Sequence, residues 1–262
     1  EKKLGKVGVK VDAPQFRDAC RAFAAEQVAS QSADFQRLAV LGDWENPYLT
    51  MDFRAEADIV RSLAKIIANG HLHRGSKPVH WCIDCGSALA EAEVEYEDRE
   101  SLAIDVRFPV ANPEVLLARL HHVEGHDGKG ALSVVIWTTT PWTLPANRGV
   151  AVNPGFEYVL AQVETEGGQE RLLVAEPLLQ ESLARWQVES YQIIAYGSGG
   201  DLEGLLLRHP FYDREVPIIL GDHVTTEAGT GAVHTAPAHG QEDYAVGCRY
   251  GLPVDNPVGP DG

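Results

Sequence analysis

Three consecutive threonines, Thr138, Thr139 and Thr140, end an apolar run that is typical of a buried strand. Pro141 follows them and forces a turn, which frees backbone N–H groups beside the hydroxyls. Such donors and acceptors at the end of a strand can bind an uncharged, oxygen-rich group and position a water molecule. The same residues also fit a simple Thr-rich strand with a proline turn, because threonine favours strands. Both interpretations are open on these residues alone.

A second segment, Gly229–Tyr244, has the sequence GTGAVHTAPAHGQEDY. Gly231 lets the backbone approach another group closely, and His234 lies on a short predicted strand. Asp243 lies in the first turn of a predicted helix, where the helix dipole favours a carboxylate for structural reasons alone. A carboxylate at a pocket rim could instead bind a free α-ammonium group. The segment therefore fits either a packed core or a binding site.

Cys82 and Cys85 have the Cys-x-x-Cys spacing of a zinc knuckle. One such pair is half of a tetrahedral site, and Cys20 and Cys248 stand alone, so a zinc ribbon would need ligands from outside this chain. A thioredoxin-like motif needs a βαβ context, which the surrounding hairpin pattern does not supply. We therefore expect no metal among the candidate site residues.

The elements that position these residues change character near residue 76. The clearest predicted helix carries an apolar face from Ile59 to Ile67 and a stop signal at Asn69-Gly70. Beyond it, short apolar or alternating runs predict strands at residues 81–85, 94–96, 102–108, 133–137, 150–152, 158–163, 172–174, 192–196, 216–220 and 232–234. Further helices are predicted at 177–186 and 241–250. The expected fold is α+β, with a β-barrel-like domain at 97–255, a Cys-x-x-Cys hairpin connector at 76–96 and a helical flank at 1–75.

Composition narrows the function classes. Hydrophobic residues make up 44% of the 262 residues and charged residues 23%, as in ordinary soluble proteins, and no apolar run is long enough to span a membrane. The sparse cysteines predict a reducing, cytoplasmic setting. A net charge of −16 argues against nonspecific binding of nucleic acid, although a basic surface in another domain would leave a tRNA partner possible. The absence of an initiator methionine and the turn-rich end predict an internal fragment, with residues 256–262 starting a return linker.

Four segments together resemble the editing insertion, connective polypeptide 1, of class I aminoacyl-tRNA synthetases. They are Gly42–Glu56, His73–Tyr96, Trp137–Asn147 (WTTTPWTLPAN) and Gly229–Tyr244, so the resemblance covers essentially the whole chain. Residues Thr140–Trp142 are Thr-Pro-Trp, where the valine and leucine enzymes usually have Thr-Arg-Pro, and the isoleucine branch is the best fit. Both adenylation signatures of the class are absent from the sequence, so we expect no activation of isoleucine by this chain.

The resemblance implies hydrolytic proofreading of valine mischarged onto tRNA(Ile), with residues 1–75 as a flank of the Rossmann-type catalytic core and 97–255 as the editing domain. It implies the 3′ end of valine-charged tRNA(Ile) as partner, valine and valyl-adenylate as small ligands, and no membrane. No cofactor is implied for editing. ATP and Mg²⁺, and zinc for the Cys pair, would belong to the full-length enzyme, which ligates isoleucine to tRNA(Ile).

The resemblance also implies roles for individual residues. The catalytic set is Thr138, Thr139, Thr140 and Asp243. The substrate-binding set is Trp137, Asn147, Gly231, His234 and Asp243. Asp243 would hold the α-ammonium group, and His234 would exclude isoleucine by size. The alternatives are a noncatalytic module that binds the tRNA acceptor end, a zinc-ribbon structural module, and the editing domain of a valyl-tRNA synthetase.

Overall fold

The computed structural model describes residues 11–98, 100–126, 128–165 and 167–262. The chain divides into two compact units, Glu1–Gly75 and Ser76–Gly262. The first unit contains helices α1 (Ala13–Arg37) and α2 (Phe53–Ala68). Among the described residues, no helix is long and apolar enough to cross a membrane.

Helix ends in the first unit follow local sequence signals. The Asp12 carboxylate caps α1 by accepting a hydrogen bond from the backbone N–H of Gln15 at 2.8 Å. Helix α2 ends as predicted at Asn69, and Gly70 takes the left-handed conformation with φ of 76°. No side chain of the described helices α1 and α2 is buried. The apolar residues of α2 therefore recur at helical spacing without being enclosed in a core of this unit.

The second unit carries twelve strands and three helices among its described residues. Its strands are β1 (His80–Cys82), β2 (Ser87–Leu89), β3 (Ile104–Pro109), β4 (His121–His122), β5 (Ala131–Thr138), β6 (Gly149–Val152), β7 (Glu157–Thr165), β8 (Gly168–Ala175), β9 (Tyr191–Ser198), β10 (Leu206–Arg208), β11 (Glu215–Leu220) and β12 (Ala232–Thr235). Its helices are α3 (Pro113–Leu117), α4 (Leu179–Arg185) and α5 (Gln241–Arg249).

A six-stranded sheet with the order β3-β5-β8-β7-β9-β4 forms the larger layer. Its pairings are antiparallel except for β5 with β8. Residues alternate between its two faces, as the strand period requires. Leu160 of β7 enters the main core, whereas Val159 packs with Leu183 of α4 on the opposite face. Burial on both faces explains why β5 and the second half of β8 (residues 172–175) are almost continuously apolar.

A four-stranded sheet with the order β10-β11-β6-β12 packs on the other side of the main core. Val150 of β6 and Ile218 of β11 face that core, and Val246 of α5 covers the outer face. The sheets meet at an antiparallel bridge between Val110 and Leu207. The α+β class with few helices is confirmed. Among the described residues the strands form open sheets and no closed barrel.

The hairpin around the cysteines differs from its prediction. Strand β1 pairs with β2, and residues 94–96, for which a strand was predicted, form no strand. The reason is a tight turn, in which the N–H of Gly86 donates to the carbonyl oxygen of Cys82 at 2.8 Å and Gly86 has φ of 61°. The turn brings Ser87 opposite Cys82 immediately.

Gly231 is required by packing as well as by conformation. Its φ is 75°, and a Cβ added there would lie 2.3 Å from the Cβ of Ala175 on β8. We expect Gly231→Ala to lower the free energy of unfolding by about 2–4 kcal/mol, because backbone strain adds to overpacking. Urea denaturation followed by circular dichroism measures this loss.

Gly204→Ala is the matched control. Gly204 has nearly the same φ, 74°, but nothing lies within 4 Å of an added Cβ. We expect backbone strain alone to lower the free energy of unfolding of this variant, by about 1–2 kcal/mol. Equal losses in the two variants would show that contact with Ala175 does not constrain position 231.

Candidate functional site

A cleft of about 550 Å³ opens beside the end of β5. It is lined by Trp137, Thr138, Thr139, Thr140, Trp142, Thr143, Val233, His234, His239, Gly240 and Asp243. Two segments supply every one of these residues, although about 90 residues separate them in the sequence. The threonine run, His234 and Asp243 thus face one space.

Strand pairing explains how these segments meet. The chain leaves the six-stranded sheet at Thr138, folds into a 3-10 helix (Pro141–Ala146), and enters the four-stranded sheet as β6. β12 pairs antiparallel with β6, and His234 lies opposite Val150. The chain after β12 turns into α5, which carries Asp243 in its first turn. The cleft therefore lies where the chain crosses between the sheets.

The three threonines have different environments. Thr138 is buried, and its hydroxyl accepts a hydrogen bond from the backbone N–H of Thr140 at 3.1 Å. Its oxygen also lies 3.3 Å from the Thr140 hydroxyl. Thr139 and Thr140 are exposed at the cleft. Thr138 therefore holds the turn in shape, while the other two hydroxyls can reach a ligand.

Hydrogen bonding fixes the tautomer of His234. The Thr143 hydroxyl lies 2.8 Å from the carbonyl oxygen of Thr140 and 3.0 Å from Nε2 of His234. A carbonyl only accepts, so the single hydroxyl proton goes to Thr140 and Nε2 of His234 must be the protonated nitrogen. Nδ1 is then an acceptor, and it is buried without a partner among the described residues.

Burial also keeps this imidazole uncharged. His234 is only 5% exposed, and burial, with smaller contributions from His239 and His209, lowers its pKa to about 4. At neutral pH the ring of His234 beside the cleft is therefore uncharged.

Asp243 connects α5 to the segment before it. Its Oδ2 accepts a hydrogen bond from the backbone N–H of Ala236 at 2.8 Å. Burial raises the pKa of the Asp243 carboxyl, and the hydrogen bond from Ala236 and the charge of His223 partly oppose this rise. The carboxylate is a structural link to the loop at Ala236 and, at the same time, an anion in the cleft.

Two predicted substrate-binding residues lie outside the cleft lining. Asn147 is completely buried, and its side-chain amide donates to the carbonyl oxygen of Gly149 at 2.8 Å. Gly231 instead lines a neighbouring cavity of about 200 Å³, which Trp137 also borders. Asn147 shapes the entry into β6, and Gly231 allows β12 to pass close to β8.

The cleft contains residues that the sequence analysis did not select, namely Trp142, Thr143, Val233, His239 and Gly240. Trp142 and Thr143 lie in the same unusual segment as the threonine run. The signal for them was the pair of prolines, one at the start of the short helix and one inside it, because a 3-10 turn brings Thr143 back toward Thr140.

The cysteine pair is separate from the cleft lining. The N–H of Cys85 donates to Sγ of Cys82 at 3.2 Å. This hydrogen bond lowers the pKa of the Cys82 thiol. Among the residues that the structure describes, no group of three or more His, Cys, Asp or Glu side chains could hold a metal ion.

The low pKa of His234 predicts a pH-dependent stability. The unfolded state takes up a proton near the usual pKa of about 6.5, whereas the folded state does so only near 4. The free energy of unfolding should therefore fall as the pH is lowered from about 6.5 to about 4, by roughly 3 kcal/mol from this residue. NMR titration of the ring and urea denaturation across this range measure the two effects.

His234→Gln is the control, because burial also lowers the pKa of His209 and His239. The free energy of unfolding is plotted against pH for the unaltered chain and for this variant. The difference between the two slopes is the contribution of His234. A ring that titrates near pH 6.5 in the folded protein would contradict the assigned environment.

Comparison with known proteins gives consistent matches along the chain. Residues 1–227 match the family model of tRNA synthetases class I (I, L, M and V), and residues 197–262 match the model of the leucyl-tRNA synthetase editing domain. Isoleucine–tRNA ligases from Methylococcus capsulatus and Thioalkalivibrio sulfidiphilus are 64% and 63% identical over all 262 residues. The chain spans 28% and 27% of the length of these relatives.

Among solved structures, the P. falciparum cytosolic leucyl-tRNA synthetase editing domain aligns with 55% of this chain and 63% of its own, at 14% identity and a TM-score of 0.46. The family model, by contrast, extends over most of the chain, and the ligase matches cover all of it at high identity. The chain therefore belongs to the class I tRNA synthetase family of the I, L, M and V enzymes.

Proposed function

We propose that the cleft hydrolyses the ester that joins a mischarged valine to the 3′ end of tRNA(Ile). The observation that carries this proposal is the single cleft that brings together the threonine run, His234 and Asp243. The match of residues 197–262 to a synthetase editing-domain model supports it, because β12 and α5 lie within that range.

An aminoacyl ester carries a positively charged α-ammonium group and uncharged ester and ribose oxygens. In this proposal Asp243 binds the α-ammonium group, since a partly buried carboxylate gains most from a charged donor. Thr139 and Thr140 donate hydrogen bonds to the ester carbonyl oxygen and hold the attacking water. The neutral His234 ring lies against the amino acid side chain.

Hydrolysis breaks the bond between the carbonyl carbon and the ribose oxygen. Water supplies hydroxide to the carbonyl carbon and a proton to the leaving ribose oxygen, giving free valine and uncharged tRNA. The neighbouring ribose hydroxyl assists the water, because the cleft lining contains one carboxylate and no Ser–His pair. The threonines stabilise the negative charge that develops on the carbonyl oxygen.

The energetic need for such a site is specific to small apolar amino acids. A pocket that accepts isoleucine cannot strongly reject valine, since one methylene is worth only about 1–3 kcal/mol, and this pair of amino acids is itself a well-known case of that limit. A second site that admits valine and excludes isoleucine corrects the error. Trp142, Val233 and His234 supply the bulk around the cleft that such exclusion requires.

The first test is release of amino acid from Val-tRNA(Ile) and, in parallel, Ile-tRNA(Ile) by the whole chain. We expect valine to be released and isoleucine to be spared, because the cleft would reject the larger side chain. Equal release of both would contradict the size sieve, and binding of tRNA without any release would favour a noncatalytic acceptor-end module.

Two variants separate the proposed binding of the α-ammonium group by Asp243 from its hydrogen bond with Ala236. Asp243→Asn keeps an oxygen that can accept the hydrogen bond from Ala236, but it loses the charge. We expect kcat/KM for Val-tRNA(Ile) to fall roughly 100-fold in this variant, with the unfolding transition nearly unchanged. Discontinuous deacylation assays measure kcat/KM, and thermal denaturation measures the unfolding transition.

Asp243→Ala serves as the comparison, because it removes both the charge and the acceptor for Ala236. We expect a similar loss of activity together with a lower unfolding temperature. Full activity of Asp243→Asn would show that the charge does not bind the substrate and that Asp243 acts only as a link within the fold.

A further inference from the structure

A second groove, of about 780 Å³, continues from the candidate cleft. Trp142 and His239 line both spaces, so that the two are contiguous. The remaining walls come from the segment around β1, including Trp81, and from the final residues of the chain, including Pro260. Neither of these walls belongs to the cleft.

The charge of this groove differs from that of the chain. The net charge of the chain is −16, yet no Asp or Glu is among the residues that line the groove. Lys77 and His239 are its ionisable side chains. In so acidic a protein, a channel without acidic side chains is a place where a phosphate backbone meets less repulsion, and Lys77 adds attraction.

Two exposed tryptophans line the groove, and planar rings such as nucleobases could stack on their indole rings. Trp81 is 45% exposed and Trp142 is 60% exposed. The Nε1–H of Trp81 donates to the carbonyl oxygen of Pro260 at 2.9 Å. This hydrogen bond satisfies the only polar atom of the indole and restrains the ring, which leaves an apolar aromatic surface for stacking.

We propose that this groove binds the unpaired nucleotides that precede the terminal adenosine, with bases stacked on Trp81 and Trp142 and phosphates near Lys77. The inference rests on the proposed function, because an ester bound in the cleft places the 3′ end beside Trp142 and His239. The strand must then leave the cleft, and the contiguous groove offers a path lined by no acidic side chain. Stacking on indoles is the usual way in which proteins bind single strands without reading their sequence.

Two substrates separate the groove from the cleft. Val-tRNA(Ile) would occupy both, whereas the valine ester of adenosine would occupy the cleft alone. We expect Trp81→Ala to raise KM about tenfold for Val-tRNA(Ile), with little change in kcat, because one stacking contact is lost. For the adenosine ester we expect kinetics within twofold of the unaltered chain. Trp81→Phe keeps an aromatic surface and should retain most of the affinity for Val-tRNA(Ile).

Tyr196→Ala is the matched control. Tyr196 is 41% exposed, close to the 45% of Trp81, and it lies on β9 away from the residues that line the groove. We expect this variant to leave KM for both substrates unchanged. Lys77→Gln should weaken the salt dependence of KM for Val-tRNA(Ile) alone.

Several outcomes would overturn the inference. An unchanged KM for Val-tRNA(Ile) in Trp81→Ala would mean that no nucleotide of the substrate stacks on Trp81. An equal rise for both substrates would mean that Trp81 only supports the cleft through its contact with Pro260. In either case the proposed hydrolysis by the cleft itself would stand.

A chain that hydrolyses neither substrate would refute the proposed function, and binding alone would then decide the inference. Titration with a single-stranded RNA that ends in a 3′ adenosine and carries no amino acid should quench the indole fluorescence of the unaltered chain. Quenching that is weakened in Trp81→Ala but not in Tyr196→Ala supports the groove. Equal quenching in all three proteins would overturn it.

Discussion

The pairing of β6 with β12 is the contact on which the candidate site depends. It places His234 opposite Val150, at the start of the strand into which the 3-10 helix leads. Thr143, on that 3-10 helix, then comes within hydrogen-bonding distance of His234. A shift of the register by one residue would turn His234 to the opposite face of the sheet. The geometry of the cleft is therefore fixed by backbone pairing, and the side chains follow from it.

Desolvation gives the cleft its chemical character. Burial lowers the pKa of His234 and raises that of Asp243, so it opposes the charged form of each group. For the histidine the neutral state leaves Nδ1 as a buried acceptor that has no partner among the described residues. For the aspartate the same effect makes a bound cation favourable, since an ammonium group offsets the desolvation of the carboxylate.

Secondary structure could be predicted from the sequence where the contacts that determine it lie within one short segment. Helix α2 was predictable because its apolar spacing and its stop signal at Asn69-Gly70 lie within one segment. The apolar run of β5 likewise marked a buried strand. The strand predicted at residues 94–96 does not form, because the tight turn at Gly86 pairs β1 with residues 87–89 instead.

Long-range contacts set the limit of prediction at the site. The convergence of the threonine run, His234 and Asp243 was expected from the family resemblance, and periodicity alone left it open. Periodicity does not predict the places of Thr143 and Asn147, since the 3-10 helix that carries Thr143 and ends before Asn147 decides which side chain faces the cleft. The contact of Gly231 with Ala175 joins residues that only sheet packing brings together.

The crossing of the chain between the sheets also affects the order of folding. The hydrogen bond between Thr143 and His234 joins residues 91 positions apart, and β6 pairs in parallel with β11 across 68 positions (Val150 with Ile218). Closing loops of this length is entropically costly and slow, so local hairpins such as β7 with β8 form first. The cleft is accordingly assembled late, once both sheets exist. Its contacts belong to the whole cooperative unit, and a nascent chain shorter than residue 243 has no complete cleft.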